Sequence, residues 1–251
     1  MTDAPAADWF ETFFTGAALD LWRKAIPQDA TDQEIEFLDQ VLEVEDGAAL
    51  LDLPCGNGRL SLPLAQAGYK LTGVDFCASF LDEAKLAAAS AKVKIDYVQD
   101  DLRRFASAKK LDGAFCMGNS FGYFDQDGSI EFFQAVSNSL KPGAKFVLDS
   151  AMVAECFLVN GGEREWVKVD DMFMLIENQY NCRLSCVETN YTFIQNGTEE
   201  KRQAVHWIYT AGQICKMLEE TGFAIKDLYG STDCDLFELG ADRLLLVAQK
   251  K

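Results

Sequence analysis

The stretch Ala49-Leu50-Leu51-Asp52-Leu53-Pro54-Cys55-Gly56-Asn57-Gly58 restricts the fold of this chain more than any other. Its apolar run has the length of a buried parallel strand, and it breaks into a two-glycine turn before helical character resumes over Arg59 to Gln66. Glycine lets a backbone bend tightly and approach a ligand closely, so the turn predicts a nucleotide-like molecule at a strand-to-helix junction. Seventeen residues after Gly58, the run Lys70-Leu71-Thr72-Gly73-Val74 ends at Asp75. A second strand there sets a carboxylate beside the same turn, where a ribose diol needs an acceptor.

The alternation continues downstream. Strands are expected at about 48–53, 69–75, 93–99, 111–117 and 144–150, with helices near 58–67, 77–91 and 127–140 between them. That order predicts an α/β fold with a doubly wound, mostly parallel sheet. Ligands bind at the carboxyl ends of such strands, which selects Asp52, Asp75, Asp100, Asp101, Met117, Gly118 and Asp149 as neighbours of one crevice. After residue 160 the period changes to two. Trp166 to Val169, Met172 to Tyr180, Leu184 to Ile194 and Ala204 to Tyr209 alternate and are joined by turn-like Asp170-Asp171, Asn181-Cys182-Arg183 and Asn196-Gly197, an antiparallel meander of about four strands. A helix over Thr210 to Glu220 and strands at Phe223 to Tyr229 and Arg243 to Gln249 complete the chain.

Two glycines alone also suit any tight turn, and the third glycine of a dinucleotide fingerprint is replaced by Ser61. Asp52, Cys55, Asp75 and the pair Asp100-Asp101 sharpen the reading. Together they resemble the class I S-adenosylmethionine-dependent methyltransferases, in which an acid ends the first strand, a glycine loop follows and an acid at the end of the second strand holds the ribose. Lys141-Pro142-Gly143 likewise resembles that family's turn into the fifth strand. Pro54 departs from the pattern, standing where glycine is commonest; it stiffens the loop and removes a donor.

The resemblance implies a seven-stranded Rossmann-like core at 46–160 and 205–251, with the meander at 161–209 as an insertion over the acceptor site and 1–45 as a helical lid. It implies S-adenosyl-L-methionine as cofactor and S-adenosyl-L-homocysteine as product, bound by Asp52, Pro54, Cys55, Gly56, Gly58, Asp75, Phe76, Asp100, Asp101, Leu102, Met117 and Gly118. Within the Asp-hydrophobic-Arg pattern, Asp101 and Leu102 match the adenine site, with Asp100 as the alternative. The implied reaction is direct SN2 transfer to an N or O nucleophile of a small-molecule acceptor. A sulfonium methyl is already activated, so alignment and exclusion of water do most of the work. If the acceptor must lose a proton, Tyr123, Asp149 and His206 are the candidate bases. His206, beside Trp207 in an alternating strand, fits a hydrogen-bonded structural role better than a catalytic one.

The N-terminal aromatics Trp9, Phe10, Phe13, Phe14 and Trp22 recur at helical spacing, and a helix is expected from Thr31 to Val44 with Thr31 and Glu34 as a capping box. The stripe either packs on the core or covers the cofactor, and both can hold.

Composition limits the partners. With 23 basic against 40 acidic residues the net charge is −17, which repels phosphate backbones and anionic bilayers across a Debye length of about 8–10 Å. Nucleic acid and membrane are therefore not expected. Eight scattered cysteines and a single histidine form no metal-ligand spacing, and the first residues lack a basic and apolar leader. The expectation is a metal-free cytoplasmic protein with reduced thiols, monomeric or homodimeric. An NAD-dependent reductase predicts a Tyr-x-x-x-Lys pair, but Tyr123 is followed by Asp127 and Tyr180 by Leu184. A non-catalytic S-adenosylmethionine-binding protein would keep the glycine loop without an acceptor pocket.

Overall fold

The computed structural model describes residues 8–251; residues 1–7 of the expected N-terminal segment lie outside the described residues. Two short helices, α1 (Phe10–Phe13) and α2 (Gly16–Trp22), precede α3 (Gln28–Leu42). The core then runs β1 (Ala49–Asp52), α4 (Ser61–Gln66), β2 (Lys70–Asp75), α5 (Ala78–Ala91), β3 (Asp96–Gln99), β4 (Leu111–Cys116), α6 (Gln126–Ser139) and β5 (Leu140–Ser150). After α7 (Ala154–Asn160) come β6 (Arg164–Val169), β7 (Met172–Asn181), β8 (Cys186–Gln195) and β9 (Thr198–Trp207), and the chain closes with α8 (Ala211–Glu220), β10 (Phe223–Tyr229) and β11 (Leu244–Lys250).

Seven strands form one sheet in the order β10-β11-β5-β4-β1-β2-β3. β1 to β5 are parallel, whereas β11 runs antiparallel to both of its neighbours, β5 and β10. Chain order reverses between β1 and β4, so the crevice opens there, beside the ends of β1 and β2. Leu50 and Leu51 of β1 point to opposite faces and both are buried, as a strand covered on two sides requires. The aromatic ring of Phe146 in β5 packs against Phe132, Phe133 and Phe223 at 6.3, 6.2 and 5.9 Å between centroids.

Three local expectations are corrected. The N-terminal aromatic stripe is broken into two helices at Phe14 and Thr15, because Gly16 takes a positive φ of 55°. α3 starts three residues before Thr31, behind Pro27, and the Thr31–Glu34 capping box does not form. The Thr31 hydroxyl instead donates to the Pro27 carbonyl at 3.2 Å, and Glu34 turns inward to two arginines. Lys141-Pro142-Gly143 lies inside the span of β5, where the pairing with β4 jumps from Leu111↔Leu140 to Gly113↔Lys145. Helix α7 carried no periodic signal long enough to separate it from a loop.

β6 to β9 form a separate antiparallel sheet in sequence order. The β8–β9 connection is the Asn196-Gly197 pair, with φ of 51° and 77°, the geometry that asparagine and glycine tolerate best. This sheet is tied to the N-terminal helices. The Glu200 carboxylate accepts from the Ala17 N–H at 3.3 and 3.4 Å, at the start of α2, and Arg202 donates to the Thr15 carbonyl and hydroxyl. Tyr191 and Phe193 of β8 meet the rings of Phe13 and Trp22. Trp207 N–H donates to the Gly122 carbonyl at 2.7 Å and joins the end of β9 to the loop after β4. A side chain at Gly122 would collide with that strand: an added Cβ comes within 2.9 Å of the Trp207 carbonyl oxygen.

Phe146→Ala should destabilise the protein by about 3–5 kcal/mol through lost contacts and a cavity that the neighbouring rings cannot fill, as measured by denaturant unfolding.

Candidate active site

The glycine turn is held open by a carboxylate. Asp75, at the end of β2, accepts from the Gly56 N–H through Oδ2 and from the Cys77 N–H through Oδ1, both at 2.8 Å. Cys55 N–H donates to the Val74 carbonyl at 2.9 Å, so the turn is stitched to the second strand on both sides. Gly56 and Gly58 have φ of 53° and 82°. At Gly56 an added Cβ meets nothing within 4 Å because the position faces open space, whereas at Gly58 it would strike the Tyr97 hydroxyl. Gly56 therefore forms an open cradle, and Gly58 allows close packing behind it.

The space in front of the turn is a cavity of about 470 Å³. Ten of the expected site residues line it: Asp52, Pro54, Cys55, Gly56, Gly58, Asp75, Phe76, Met117, Gly118 and Tyr123. Asp52 is buried at the end of β1 and accepts from the Ser61 hydroxyl at 2.6 Å. Burial pushes its carboxyl up to about 7 and that of Asp75 up to about 6, so each is easily protonated until a donor or a cation arrives. Phe76 also borders a second cavity of about 400 Å³ with Asp100, Asp101, Leu102, Phe10 and Phe124. The two acids differ there. Burial raises the pKa of Asp101, but its carboxylate accepts from the Arg103 N–H, Nε and Nη2 at 2.7–3.1 Å, which holds it below its ordinary value. Among the described residues Asp100 accepts only from the Asp101 N–H, at 2.8 Å, and has the freer oxygen.

Two of the candidate bases lie outside the cavity wall. Asp149 is buried behind the loop after β4, where its Oδ2 accepts from the Gly118 and Asn119 N–H groups at 2.9 and 3.0 Å. Those bonds make it the group that shapes the loop at Met117 and Gly118, and they direct it away from the open space. His206 is buried between the rings of Trp9 and Tyr123, at 5.3 and 5.4 Å between centroids. Burial lowers its pKa to about 4, so the imidazole is neutral, and Nδ1 has no hydrogen-bond partner among the described residues. The Trp9 indole N–H is equally unpartnered. Tyr123 faces the cavity, and burial raises its hydroxyl above the ordinary tyrosine range, which keeps the proton on.

The sequence reading missed a charged chain beneath the site. Buried Glu34 pairs with Arg59, which follows the glycine turn, at 2.7 Å and with Arg243, just before β11, at 2.8 Å. Arg243 Nε lies 3.7 Å from Asp149 Oδ1, and Arg59 Nη1 donates to the Thr31 hydroxyl at 3.0 Å. Only the position of Arg59 directly after Gly58 offered a signal. Phe14 and Trp22, from the N-terminal aromatic stripe, also line the cavity, together with Phe80 and Gln28, which carried no site signal in the sequence.

Comparison with known proteins agrees with this geometry. Residues 50–143, from β1 into β5, match the family described as "Methyltransferase domain". A protein of Geobacillus sp. named as a methyltransferase is 20% identical across 100% of both chains. The solved S-adenosylmethionine-dependent methyltransferase from Clostridium acetobutylicum is 25% identical, with a TM-score of 0.78 over 92% of this chain and 95% of its own. Residues 50–143 therefore carry a methyltransferase domain, and the fold around them is similar to that of the S-adenosylmethionine-dependent methyltransferases. Neighbours that share the fold were solved with S-adenosylmethionine or S-adenosylhomocysteine bound. The sugar N-methyltransferase of a Streptoalloteichus species shares the fold at a TM-score of 0.72 and 17% identity, over 100% of this chain and 99% of its own. No helix among the described residues is long and apolar enough to cross a membrane.

Glu34→Ala should cost about 3–5 kcal/mol of stability, because it removes the buried carboxylate that both guanidiniums share and leaves Arg243 only its longer contact with Asp149. Thermal or urea unfolding of the variant measures it, and a cost under 1 kcal/mol would mean that water already screens both arginines.

Proposed function

We propose that this chain binds S-adenosylmethionine as cofactor and transfers its methyl group to an N or O nucleophile of a small-molecule acceptor by direct SN2 displacement, leaving S-adenosylhomocysteine. One observation carries the cofactor's placement: two buried carboxylates, Asp52 and Asp75, face one cavity beside an open glycine cradle. Such a wall suits a ligand with a sulfonium, an ammonium and a ribose diol. It suits a diphosphate poorly, since Asp52 and its partner Ser61 present a carboxylate where a dinucleotide fingerprint has its third glycine. That difference disfavours the NAD-dependent reductase.

In this reading Asp75 would accept from the ribose hydroxyls, and the turn at Pro54, Cys55, Gly56 and Gly58 would back the methionine portion with Asp52. Phe76, Leu102 and Asp100 border the adenine, with Asp101 positioning Arg103. Met117 and Gly118, which line the same cavity, would hold the sulfonium end. When bound, the cofactor supplies an activated methyl electrophile. The chain contributes alignment and a dry surrounding, effects that together reduce such barriers by about 7–11 kcal/mol. Tyr123, protonated and in the wall, orients the acceptor, while Asp149 shapes the loop that carries Gly118. His206, buried behind Tyr123 and held neutral by burial, backs that ring and is poorly suited to receive a proton. The segment 1–45 acts as the lid and 161–209 as the insertion that shapes the acceptor side, around a core of 46–160 and 205–251.

The net charge of −17 and the absence of a basic cluster support a cytoplasmic enzyme that avoids nucleic acid. Acceptors of the sugar or aromatic amine and hydroxyl type are the class to test, given the likeness to a sugar N-methyltransferase. Calorimetric titration should give micromolar binding of S-adenosylmethionine and S-adenosylhomocysteine and none of NADH. Formation of S-adenosylhomocysteine with a panel of amino sugars and phenols then tests turnover. Binding without turnover across such a panel would favour a non-catalytic cofactor-binding protein.

Asp75→Ala should weaken cofactor binding by about 1.5–3 kcal/mol, the worth of a charged buried acceptor, in a variant that remains folded by circular dichroism. Wild-type affinity should depend on pH in one direction. The diol donates to the ionised carboxylate, so binding favours loss of the proton; affinity is level above about 6 and falls by up to about tenfold per pH unit below it. An affinity that stays flat from pH 7 to pH 5 would remove Asp75 from the ribose site.

A further inference from the structure

The second sheet ends on a strand with no neighbour beyond it among the described residues. β6 pairs with β7 along one edge only, and Arg164 to Lys168 are all exposed. An open edge presents unpaired N–H and C=O groups that recruit another strand, and proteins that stay monomeric blunt or cover it. Between the charged Arg164, Glu165 and Lys168 this edge carries Trp166, 66% exposed, which lies 6.0 Å from Phe173 of β7 and beside Leu175 on the outer face. We propose that β6 pairs antiparallel with β6 of a second copy of this chain, joining two four-stranded sheets into one of eight.

The strand's own residues select the register. Asn178 N–H donates to the Glu163 carbonyl at 2.8 Å, so odd-numbered residues of this strand direct their backbone groups toward β7 and even-numbered ones direct theirs outward. A two-fold axis normal to the sheet keeps every side chain on its own face, so facing residues share parity. Any of four interior residues of β6 can then sit on the axis. Glu165 or Lys168 at that point brings like charges together, and Trp166 there sets Arg164 against the partner's Lys168; each is repulsive. Val167 on the axis avoids all of these. It faces its own copy, Glu165 faces the partner's Val169, and Trp166 faces the partner's Lys168. Lys168 already lies 5.3 Å from the centroid of Phe173, so the incoming ring gives the same ammonium a second aromatic face. On the inner face the buried Met174, which pairs with Val167, extends the apolar row on both sides of the axis.

The register is tested by cross-linking. Val167 occupies a non-hydrogen-bonded position across the junction, where facing Cα atoms are about 4.5 Å apart, within the span of a disulfide. In a Cys182→Ser background, which removes the exposed thiol, Val167→Cys should form a covalent dimer under mild oxidation and Trp166→Cys should not. The wild-type protein should sediment as a dimer at about 100 µM, a concentration that populates even weak association. Val167→Asp should be monomeric, and mixing it with Val167→Lys should restore the dimer, which separates loss of the interface from misfolding. A monomeric wild type at that concentration, a dimer that Val167→Asp leaves intact, or cross-linking at 166 in place of 167 would each overturn the proposal.

Discussion

Glu34 is the point on which the site's geometry depends. Its carboxylate lies buried between Arg59 and Arg243, and through Arg243 the charge reaches Asp149 and the amides of Gly118 and Asn119. Four segments far apart in sequence meet there: α3, the turn after β1, the loop after β4 and the entry to β11. Burying an ion pair yields little net stability compared with apolar residues, because both charges lose their water. What such a chain contributes is position. Each guanidinium is planar with donors in fixed directions, so the two loops that flank the cavity are set relative to one helix.

The wall opposite the glycine turn is built by different chemistry. Phe14 and Trp22 approach from the N-terminal helices, while Trp9 and Phe10 stack around Tyr123 and reach His206 and Phe76. Packing and covering are here the same act, since the rings that fill the core also close the crevice. The cover leaves the Trp9 indole nitrogen and His206 Nδ1 without partners in a water-poor environment. Orphaned polar groups of this kind cost about 1–3 kcal/mol each and are seldom retained without use.

Much of this was legible in the sequence, and the reasons are local. β1 and β2 are short apolar runs that end in Asp52 and Asp75, and a parallel strand gives its terminal side chain one place to go. The Asn196-Gly197 turn was legible because few residue pairs adopt positive φ twice in succession. Glu34 was misread for an equally physical reason. A threonine followed three residues later by a glutamate satisfies a helix start locally, whereas the arginines that claim this glutamate lie 25 and 209 residues further along. Asp101 hides a similar competition, with Arg103 only two residues away but turned back onto it. Asp149 was correctly placed at a strand end, yet no periodicity tells whether its oxygens meet a cavity or the amides of the next loop.

The clamp made by Glu200 and Arg202 on residues 15–17 has a consequence for how such enzymes diversify. The N-terminal helices and the second sheet are separated by more than a hundred residues of core, yet they share ring contacts and hydrogen bonds with each other. They behave as one module interrupted by the catalytic scaffold. Recombination that exchanges only the internal sheet would leave a foreign surface against an inherited cover. A productive chimera has to transplant both pieces, so selectivity for a new acceptor is acquired by paired, not single, crossover events.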